Sequence, residues 1–305
     1  MTPWASITRS YRFVDYATQA YLVLVGILIL FFHGGRVPHF PLFLLAHSTG
    51  ILLIHASIVG SALWPENRLF SFFRHFYPLL LYLFLYRESE QLNLMFVDRY
   101  LDPAFIAIEQ RIFGFQPAIV FMNVFPHPLI SEFFYMSYFS YYVMIAGVGL
   151  ALYFRRREEF WHYLAVLSFV FYVCFLAFMF LPVAGPPAFY MEIPKYLDQQ
   201  RLPYYPLEFP ASVTSGLFFN LMGFLYSTFE TGGGAFPSSH VAAAICVLFL
   251  SWRYLLRARY LILAATIALS FATVYCRYHY AVDVFAGAVT AVALIPIGEW
   301  LYRRY

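Results

Sequence analysis

The sequence predicts an all-α fold, a polytopic membrane bundle of about eight transmembrane helices with additional interfacial helices. Two observations support this fold class. Of the 305 residues, 62% are hydrophobic and only 11% are charged, whereas roughly a quarter of the residues in a soluble domain are charged. The charges are also clustered, which leaves several charge-free intervals long enough to cross a bilayer. A water-soluble single domain is therefore not expected.

The charge-free intervals locate the helices. A charge at the bilayer centre costs roughly 2.5 to 3.5 kcal/mol on insertion scales, so charged residues are expected in the connections. The eight predicted helices lie near residues 14–33, 40–63, 70–86, 131–153, 160–181, 238–254, 260–277 and 280–301.

Two other apolar segments are not expected to cross the membrane. Segment 209–229 lies between a loop rich in Pro and Tyr and the Gly-rich residues 231–234, which favours an interfacial or re-entrant helix. Segment 92–128 mixes charges, among them Asp102 and Glu109, with Phe and Leu at helical spacing and contains four prolines, Pro117, Pro126 and Pro128 among them. This pattern predicts amphipathic helices that lie along the membrane.

The distribution of basic residues predicts an orientation. With eight spans, twelve arginines fall on one side, and the other side carries six arginines and Lys195 in longer loops. Because cytoplasmic connections collect Lys and Arg, both termini are predicted to be cytoplasmic. Loop 182–238 and the short 277–280 turn are then on the outer side of the membrane, which is periplasmic or lumenal. If the source is bacterial, the membrane is the cell membrane.

Composition excludes other classes. The net charge of +3 is too small to suggest a nucleic-acid partner, and no basic stripe with spaced aromatic residues is present. Three cysteines give no disulfide pattern. The nine histidines are scattered without metal-ligand spacing, so neither a metal nor another cofactor is expected.

The last polar motif, residues 277–283, has a mechanical spacing. His279 and Asp283 are four residues apart, so on a helix they share a face and the carboxylate can accept a proton from one imidazole nitrogen. The other nitrogen is then available as a nucleophile. The alternative is a surface pair that anchors a helix at the headgroup region. Arg277 either binds a phosphate or extends toward the interface.

A second motif, residues 232–240, leads directly into an apolar helix. Its glycines form a flexible turn, and Ser238 and Ser239 can cap a helix that Pro237 begins. Free amides at a helix N-terminus bind anions, and His240 in the first turn can protonate a departing oxygen. An ordinary glycine loop with a serine cap is the alternative. In the predicted topology, each histidine motif lies at the start of a helix, and both starts are on the outer side of the membrane.

These residues resemble a known family. Pro237-Ser238-Ser239-His240, followed by His279-x3-Asp283 and preceded by a Pro-rich motif, is similar to the type 2 phosphatidic acid phosphatase superfamily of membrane lipid phosphatases and phosphotransferases. More narrowly, residues 234–240, residues 279–283 and the Pro186-Pro187-x-x-Tyr190 stretch resemble the inositol phosphorylceramide synthase branch.

The resemblance implies a six-helix catalytic core and a role for each motif residue. His279 would be the nucleophile that forms a phospho-histidine, Asp283 its orienting carboxylate, and His240 the group that protonates the leaving oxygen. Phosphoryl oxygens would be held by the motif residues Gly234, Ser238, Ser239 and Arg277. Possible substrate-binding residues are Pro186, Pro187, Tyr190, Lys195 and Arg201. Residues 129–305 would form the catalytic domain, preceded by N-terminal helices and the interfacial segment in 1–128.

The chain departs from the phosphatase pattern at three places. Segment 175–190 has none of the Lys and Arg of the first phosphatase motif, Thr273 stands where an Arg precedes the nucleophile, and Ser239 replaces a Gly. Arg277, with Arg201 or Lys195, is the expected replacement for the missing cations. The absence of those cations favours the phosphotransferase branch over a plain lipid phosphatase.

The sequence thus predicts an enzyme that transfers a phosphoryl group from a lipid phosphate or phospholipid to water or to a lipid alcohol such as ceramide or diacylglycerol. An inositolphosphotransferase-like activity is the first prediction and a lipid phosphate phosphatase the second. A transporter or membrane scaffold is the alternative from another class, for which Ser48, Thr49, Gly50 and His55 are the best cluster. No inverted repeat supports it. The sequence does not indicate an oligomeric state.

Overall fold

A computed structural model describes residues 10–186, 208–229 and 233–304. The described residues form twelve helices and no β-strand, with one isolated parallel bridge between Val183 and Gly234. The helices are α1 (Phe13–Phe32), α2 (Phe40–Leu63), α3 (Arg68–Leu92), α4 (Asp102–Phe113), α5 (Pro117–Val124), α6 (Pro128–Arg155), α7 (Arg157–Phe180), α8 (Ala211–Thr214), α9 (Leu217–Phe229), α10 (Ser239–Tyr254), α11 (Arg259–Tyr275) and α12 (Ala281–Tyr302).

The predicted fold class is confirmed. Within the described residues, six helices are long and apolar enough to cross a membrane, namely α1, α2, α3, α6, α7 and α12. A seventh span results if α4 and α5, which are bent by 62° at a short break, are taken as one. All eight predicted helices are present, although α10 and α11 have only 16 and 17 residues.

The two segments predicted to be interfacial are also helical. Segment 92–128 contains α4 and α5, and segment 209–229 contains α8 and α9. The carboxylate of Glu132 on α6 accepts hydrogen bonds from the first backbone amides of α9, those of Phe218 and Phe219. This contact fixes α9 against the bundle, because the first amides of a helix have no partner within it. The depth of both segments in the bilayer stays a prediction, as does the orientation.

Helix α7 is the centre of the bundle. It is the most deeply buried candidate span and packs against α1, α3, α6, α10 and α12. The outer helices instead present large apolar side chains on their exposed faces, such as Phe31, Phe154, Leu261 and Val292. In water such a surface would be unfavourable, whereas lipid accommodates it.

Helix α3 continues further than the sequence predicted. It runs to Leu92 and so carries Arg87, Glu88 and Glu90 within a helix that was expected to end at residue 86. The continuation is possible because Glu88 is buried and Glu88 Oε1 lies 2.7 Å from Nε2 of His47 on α2. A distant partner thus accommodates a charge that the local sequence marks as a helix end.

A second buried ion pair joins α1 to α3. The Arg74 guanidinium donates to both oxygens of Asp15, with an Nη1 to Oδ1 distance of 2.7 Å, and Tyr77 donates to the same carboxylate at 2.6 Å. Both charged side chains are at most 5% exposed.

We expect Asp15→Ala to lower the free energy of unfolding by about 3 to 5 kcal/mol, because it leaves the Arg74 charge buried without a partner. Thermal unfolding of the detergent-solubilised protein measures this as a lower melting temperature. Glu158→Gln is the control, since the pair between Arg12 and Glu158 is exposed and should contribute little. Equal melting temperatures for Asp15→Ala and Glu158→Gln would contradict the expectation.

Candidate active site

The described parts of the three motifs, which are the Pro-rich residues 181–186, residues 233–240 and residues 277–283, meet where the C-terminal end of α7 approaches the N-terminal ends of α10 and α12. The amide of Ala235 donates to the carbonyl of Val183 at 3.0 Å, which joins the first motif to the second. The amide of Ser238 donates to the backbone carbonyl of Asp283 at 3.1 Å, which joins the second motif to the third. Segments about fifty and forty residues apart along the chain are therefore held together by backbone hydrogen bonds.

Asp102, the first residue of α4, connects the first and third motifs. Its carboxylate accepts hydrogen bonds from the amides of Ala184 and Gly185 at 2.8 and 2.9 Å. The same carboxylate accepts the hydroxyl of Tyr280 at 3.0 Å. Asp102 is fully buried, so its oxygens depend on these donors in place of water.

Glu109, two helical turns further along α4, holds the start of α12. Its Oε1 accepts hydrogen bonds from the amides of Ala281 and Val282, the second at 3.3 Å. These amides belong to the first turn of α12, where the helix supplies no acceptor. A carboxylate at this end also interacts favourably with the helix dipole. Glu109 therefore fixes the backbone that follows His279 and carries Asp283.

The two histidines form the centre of the site. Nε2 of His279 lies 3.3 Å from Nδ1 of His240, and Nδ1 of His279 lies 3.4 Å from Oδ2 of Asp283. The Oγ of Ser238 is 3.3 Å from Nε2 of His279. His279 and His240 are only 3% and 6% exposed. The predicted pairing of His279 with Asp283 is present as a long contact of 3.4 Å, and such contacts in a site without substrate are often long.

Local sequence explains how these side chains are presented. Ser238 caps α10 and accepts from the amide of Val241, which places His240 in the first turn as predicted. Asp283 accepts from the amide of Tyr280 at 2.9 Å and so caps α12 while it faces His279. At Gly287, an added Cβ would lie 2.5 Å from the carbonyl oxygen of Ser238. Glycine is required there because α12 passes so close to the cap of α10.

Tyr138 on α6 contacts Nε2 of His240, and the sequence analysis did not identify this residue. Its hydroxyl lies 3.0 Å from Nε2 of His240 and 2.7 Å from the hydroxyl of Tyr226 on α9. Both nitrogens of His240 thus have neighbours, His279 on one side and Tyr138 on the other. This arrangement fixes the plane of the ring and restricts its tautomer.

The turn between α11 and α12 carries His279, which lies outside both helices but is buried in the protein. Its amide donates to the carbonyl of Thr273 at 3.0 Å, so the residue that stands in place of the expected arginine serves through its backbone. Burial lowers the pKa of His279 to about 4. Its imidazole is therefore uncharged at neutral pH, the form that has a free nitrogen lone pair.

Arg277 is placed differently from its neighbours in the motif. It has a positive φ of 62° and is fully buried. Its guanidinium donates to the side chain of Asn123 and to the carbonyl of Glu208, each at 2.9 Å, and lies over the ring of Phe209. The phosphate-binding role of Arg277 stays a prediction, and it would require the guanidinium to exchange these partners for phosphate.

The remaining predicted site residues fall into two groups. Gly234 forms the bridge with Val183, Ser239 is buried beside His240 at the start of α10, and Pro186 is buried next to the loop that Asp102 holds. The other predicted substrate-binding residues, namely Pro187, Tyr190, Lys195 and Arg201, lie outside the described residues, as does Gly232 of the second motif.

A cavity of about 460 Å³ reaches His240. Ser239 and His240 line one part of it, and the other lining residues come from α3, α6, α7 and α9. Most of these are aromatic or aliphatic, including Leu79, Tyr82, Phe139, Tyr141, Phe171 and Phe175. Such a lining suits the hydrocarbon part of a lipid.

Comparison with known proteins identifies a family for this chain. The model of the PAP2 superfamily matches residues 103–297, well over half of the chain, and the chain belongs to this superfamily. No curated protein and no solved structure matches it. Membership confirms the broader resemblance seen in the sequence and supports a membrane enzyme of the phosphatase or phosphotransferase type that acts on lipid phosphates. It favours this class over a transporter or scaffold.

Sequence reasoning assigned Asp102 and Glu109 to the polar face of an interfacial segment. They are seven residues apart, which places them on one side of a helix after two turns. That spacing was the available signal, but periodicity does not distinguish a face toward water from a face toward a neighbouring helix. The family match begins at residue 103, whereas the catalytic domain was predicted to begin at 129. That domain boundary stays a prediction.

We expect Glu109→Ala to lower kcat by about 100-fold with little change in KM, because small displacements of reacting groups have effects of this size. Glu109→Gln retains an oxygen that can accept from Ala281 and Val282, so it should recover most of the rate. Steady-state turnover of a lipid that the wild type processes measures both variants. Arg111→Ala, an exposed change on the same helix, is the control. A Gln variant as impaired as the Ala variant would contradict this positioning role.

Proposed function

We propose that this protein is a lipid phosphotransferase that works through a phospho-histidine on His279. The observation that carries the proposal is the buried set His240, His279 and Asp283, of which His240 lines an apolar cavity. The donor is a lipid phosphate or a phospholipid headgroup, and the acceptor is the hydroxyl of a second lipid. An inositolphosphotransferase-like reaction, from phosphatidylinositol to a ceramide or diacylglycerol, is the specific form that the motifs favour.

The contacts are consistent with one arrangement of protons. His279 carries its proton on Nδ1, where Asp283 accepts it, and its Nε2 lone pair is the nucleophile. His240 carries a proton on Nδ1, directed toward Nε2 of His279, and its own Nε2 accepts from the Tyr138 hydroxyl. The nucleophile and the proton donor are therefore direct neighbours, 3.3 Å apart, and the contact between them must open for a phosphoryl group to enter.

Two displacements then complete the transfer. Nε2 of His279 attacks phosphorus, the bond from phosphorus to the leaving oxygen breaks, and that oxygen takes the proton from His240. Asp283 stabilises the positive charge that develops on the His279 ring. In the second step the acceptor hydroxyl attacks phosphorus and gives its proton to His240. The bond from phosphorus to Nε2 breaks, and the enzyme returns to its first state.

Phosphoryl oxygens have candidate partners at the start of α10. Ser238 and the first amides of this helix lie beside His279, and a helix N-terminus carries partial positive charge. The hydroxyl and amides act as hydrogen-bond donors to the charge that develops in the transition state. This arrangement supports the predicted roles of Ser238 and Ser239.

The apolar lining of the cavity favours a lipid over water as the acceptor. A phospho-histidine is hydrolysed wherever water reaches it, so a transferase must exclude water from the intermediate. The histidines are buried and the cavity that reaches His240 is formed mainly by aromatic and aliphatic side chains. Lipid phosphate hydrolysis remains the second candidate because it shares the first displacement.

We expect His279→Ala to abolish turnover, a loss of at least about 1,000-fold, because no other group replaces the nucleophile. His240→Ala should slow turnover by about 100-fold or more through the loss of proton transfer. Purified protein is assayed with phosphatidylinositol, phosphatidic acid and ceramide, with headgroup and phosphate release followed separately. His39→Asn, an exposed histidine outside the site, is the matched control. Turnover by His279→Ala at the wild-type rate would contradict the assignment.

A labelled donor separates transfer from hydrolysis. With phosphatidylinositol labelled in its phosphate and with ceramide or diacylglycerol supplied, we expect the label to appear in a new lipid, because the lining of the cavity disfavours water. Chromatography of the lipid and aqueous phases measures the ratio of the two products. Label recovered chiefly as water-soluble phosphate, unaffected by added lipid alcohol, would reject the transferase and identify a lipid phosphatase.

A further inference from the structure

Helix α3 lies outside the family match and still forms a wall of the cavity. The match covers residues 103–297, whereas α3 ends at Leu92. Five α3 side chains line the cavity that also contains His240, namely those of Leu79, Tyr82, Leu83, Tyr86 and Arg87. The cavity is therefore formed jointly by α3 and the part of the chain that the family match covers.

Arg87 differs from the rest of this lining. Among the described residues that line the cavity, it is the only Lys or Arg. Its side chain is exposed, and no ion pair or hydrogen bond of its guanidinium occurs within the described part of the chain. The adjacent Glu88 does not neutralise it, because the Glu88 carboxylate is buried against His47.

An exposed arginine on the wall of an otherwise apolar cavity can bind an anion that enters the cavity. Charges in membrane bundles are characteristically found paired or at substrate paths. A guanidinium offers a planar fork of donors that matches two oxygens of a phosphate. A lipid phosphate matches both features of this site, because its hydrocarbon chains fit the apolar wall and its phosphate supplies a negative charge for Arg87.

We propose that Arg87 binds the phosphate of the lipid substrate in the cavity shared by α3 and the histidine site. This inference rests on the proposed function for its substrate class. It assigns α3 a direct part in substrate recognition, and it supplies one cation from a part of the chain that carries no motif of the superfamily.

Binding measured without turnover tests the proposal. The protein carries His279→Ala so that the lipid is not consumed, and the probes are a fluorescent short-chain phosphatidic acid and the matching diacylglycerol. We expect Arg87→Gln to raise the Kd for phosphatidic acid by about tenfold or more, the loss of one charge-assisted contact. Arg87→Lys should lose less, and the Kd for diacylglycerol should stay within about twofold. Arg111→Gln removes an exposed arginine outside the cavity and should change neither value.

Two outcomes of the Kd measurement would overturn the proposal. One is an unchanged Kd for phosphatidic acid in Arg87→Gln, and the other is an equal weakening for both lipids, which would indicate packing alone. Inorganic phosphate as a competitor identifies the recognised group. Competition that Arg87→Gln abolishes shows that phosphate itself is bound, and an absence of competition with an Arg87-dependent Kd shows that the phosphate is recognised as part of the lipid. Equal competition in both proteins would contradict the assignment.

The result is independent of the reaction. If the protein with an intact His279 processes none of the lipids while phosphatidic acid binding still depends on Arg87, the proposed function fails and the binding site stands. If turnover depends on His279 but phosphatidic acid binding does not depend on Arg87, the proposed function stands and the Arg87 binding site fails.

Discussion

The carboxylate of Asp102 is the contact on which the arrangement of the site depends. It receives two amides from the loop after α7 and the hydroxyl of Tyr280 at the start of α12. A buried carboxylate is tolerated only where donors surround it, so the position of Asp102 and the path of both segments determine one another. Glu109, two turns further along α4, likewise accepts hydrogen bonds from the amides of Ala281 and Val282. Together they hold the turn that carries His279 without using either histidine.

A membrane bundle gains little from apolar contacts between its helices, since lipid is as apolar as the side chains. Polar contacts therefore carry much of the specificity of assembly here. Asp15 with Arg74 joins α1 to α3, and His47 with Glu88 joins α2 to α3. At the other end of the core, Glu299 on α12 contacts His162 on α7 and Arg253 on α10. The few charges in the chain thus serve as connections between helices as well as in the site.

Much of the fold followed from the sequence because a bilayer restricts where charges can lie. Charge-free intervals located the six long apolar helices and the shorter α10 and α11, and the four-residue spacing of His279 and Asp283 placed both on one face. The position of α4 could not be read in this way, because a helix with one acidic face looks the same whether that face meets water or backbone amides. The direction of Arg277 depends on a positive φ and on Asn123, which is distant in sequence. The extension of α3 through Arg87 likewise depends on His47 in another helix.

The central claim is that His279 becomes phosphorylated, and locating the phosphate tests it directly. His240→Ala protein is mixed with lipid donor, quenched at alkaline pH where phospho-histidine survives, digested and sequenced by mass spectrometry. The account predicts phosphate, or inositol phosphate if the donor is phosphatidylinositol, on the peptide that contains His279. The same peptide should be unmodified in protein that also carries His279→Ala. Phosphate on a different side chain, with residue 279 unmodified, would contradict the account.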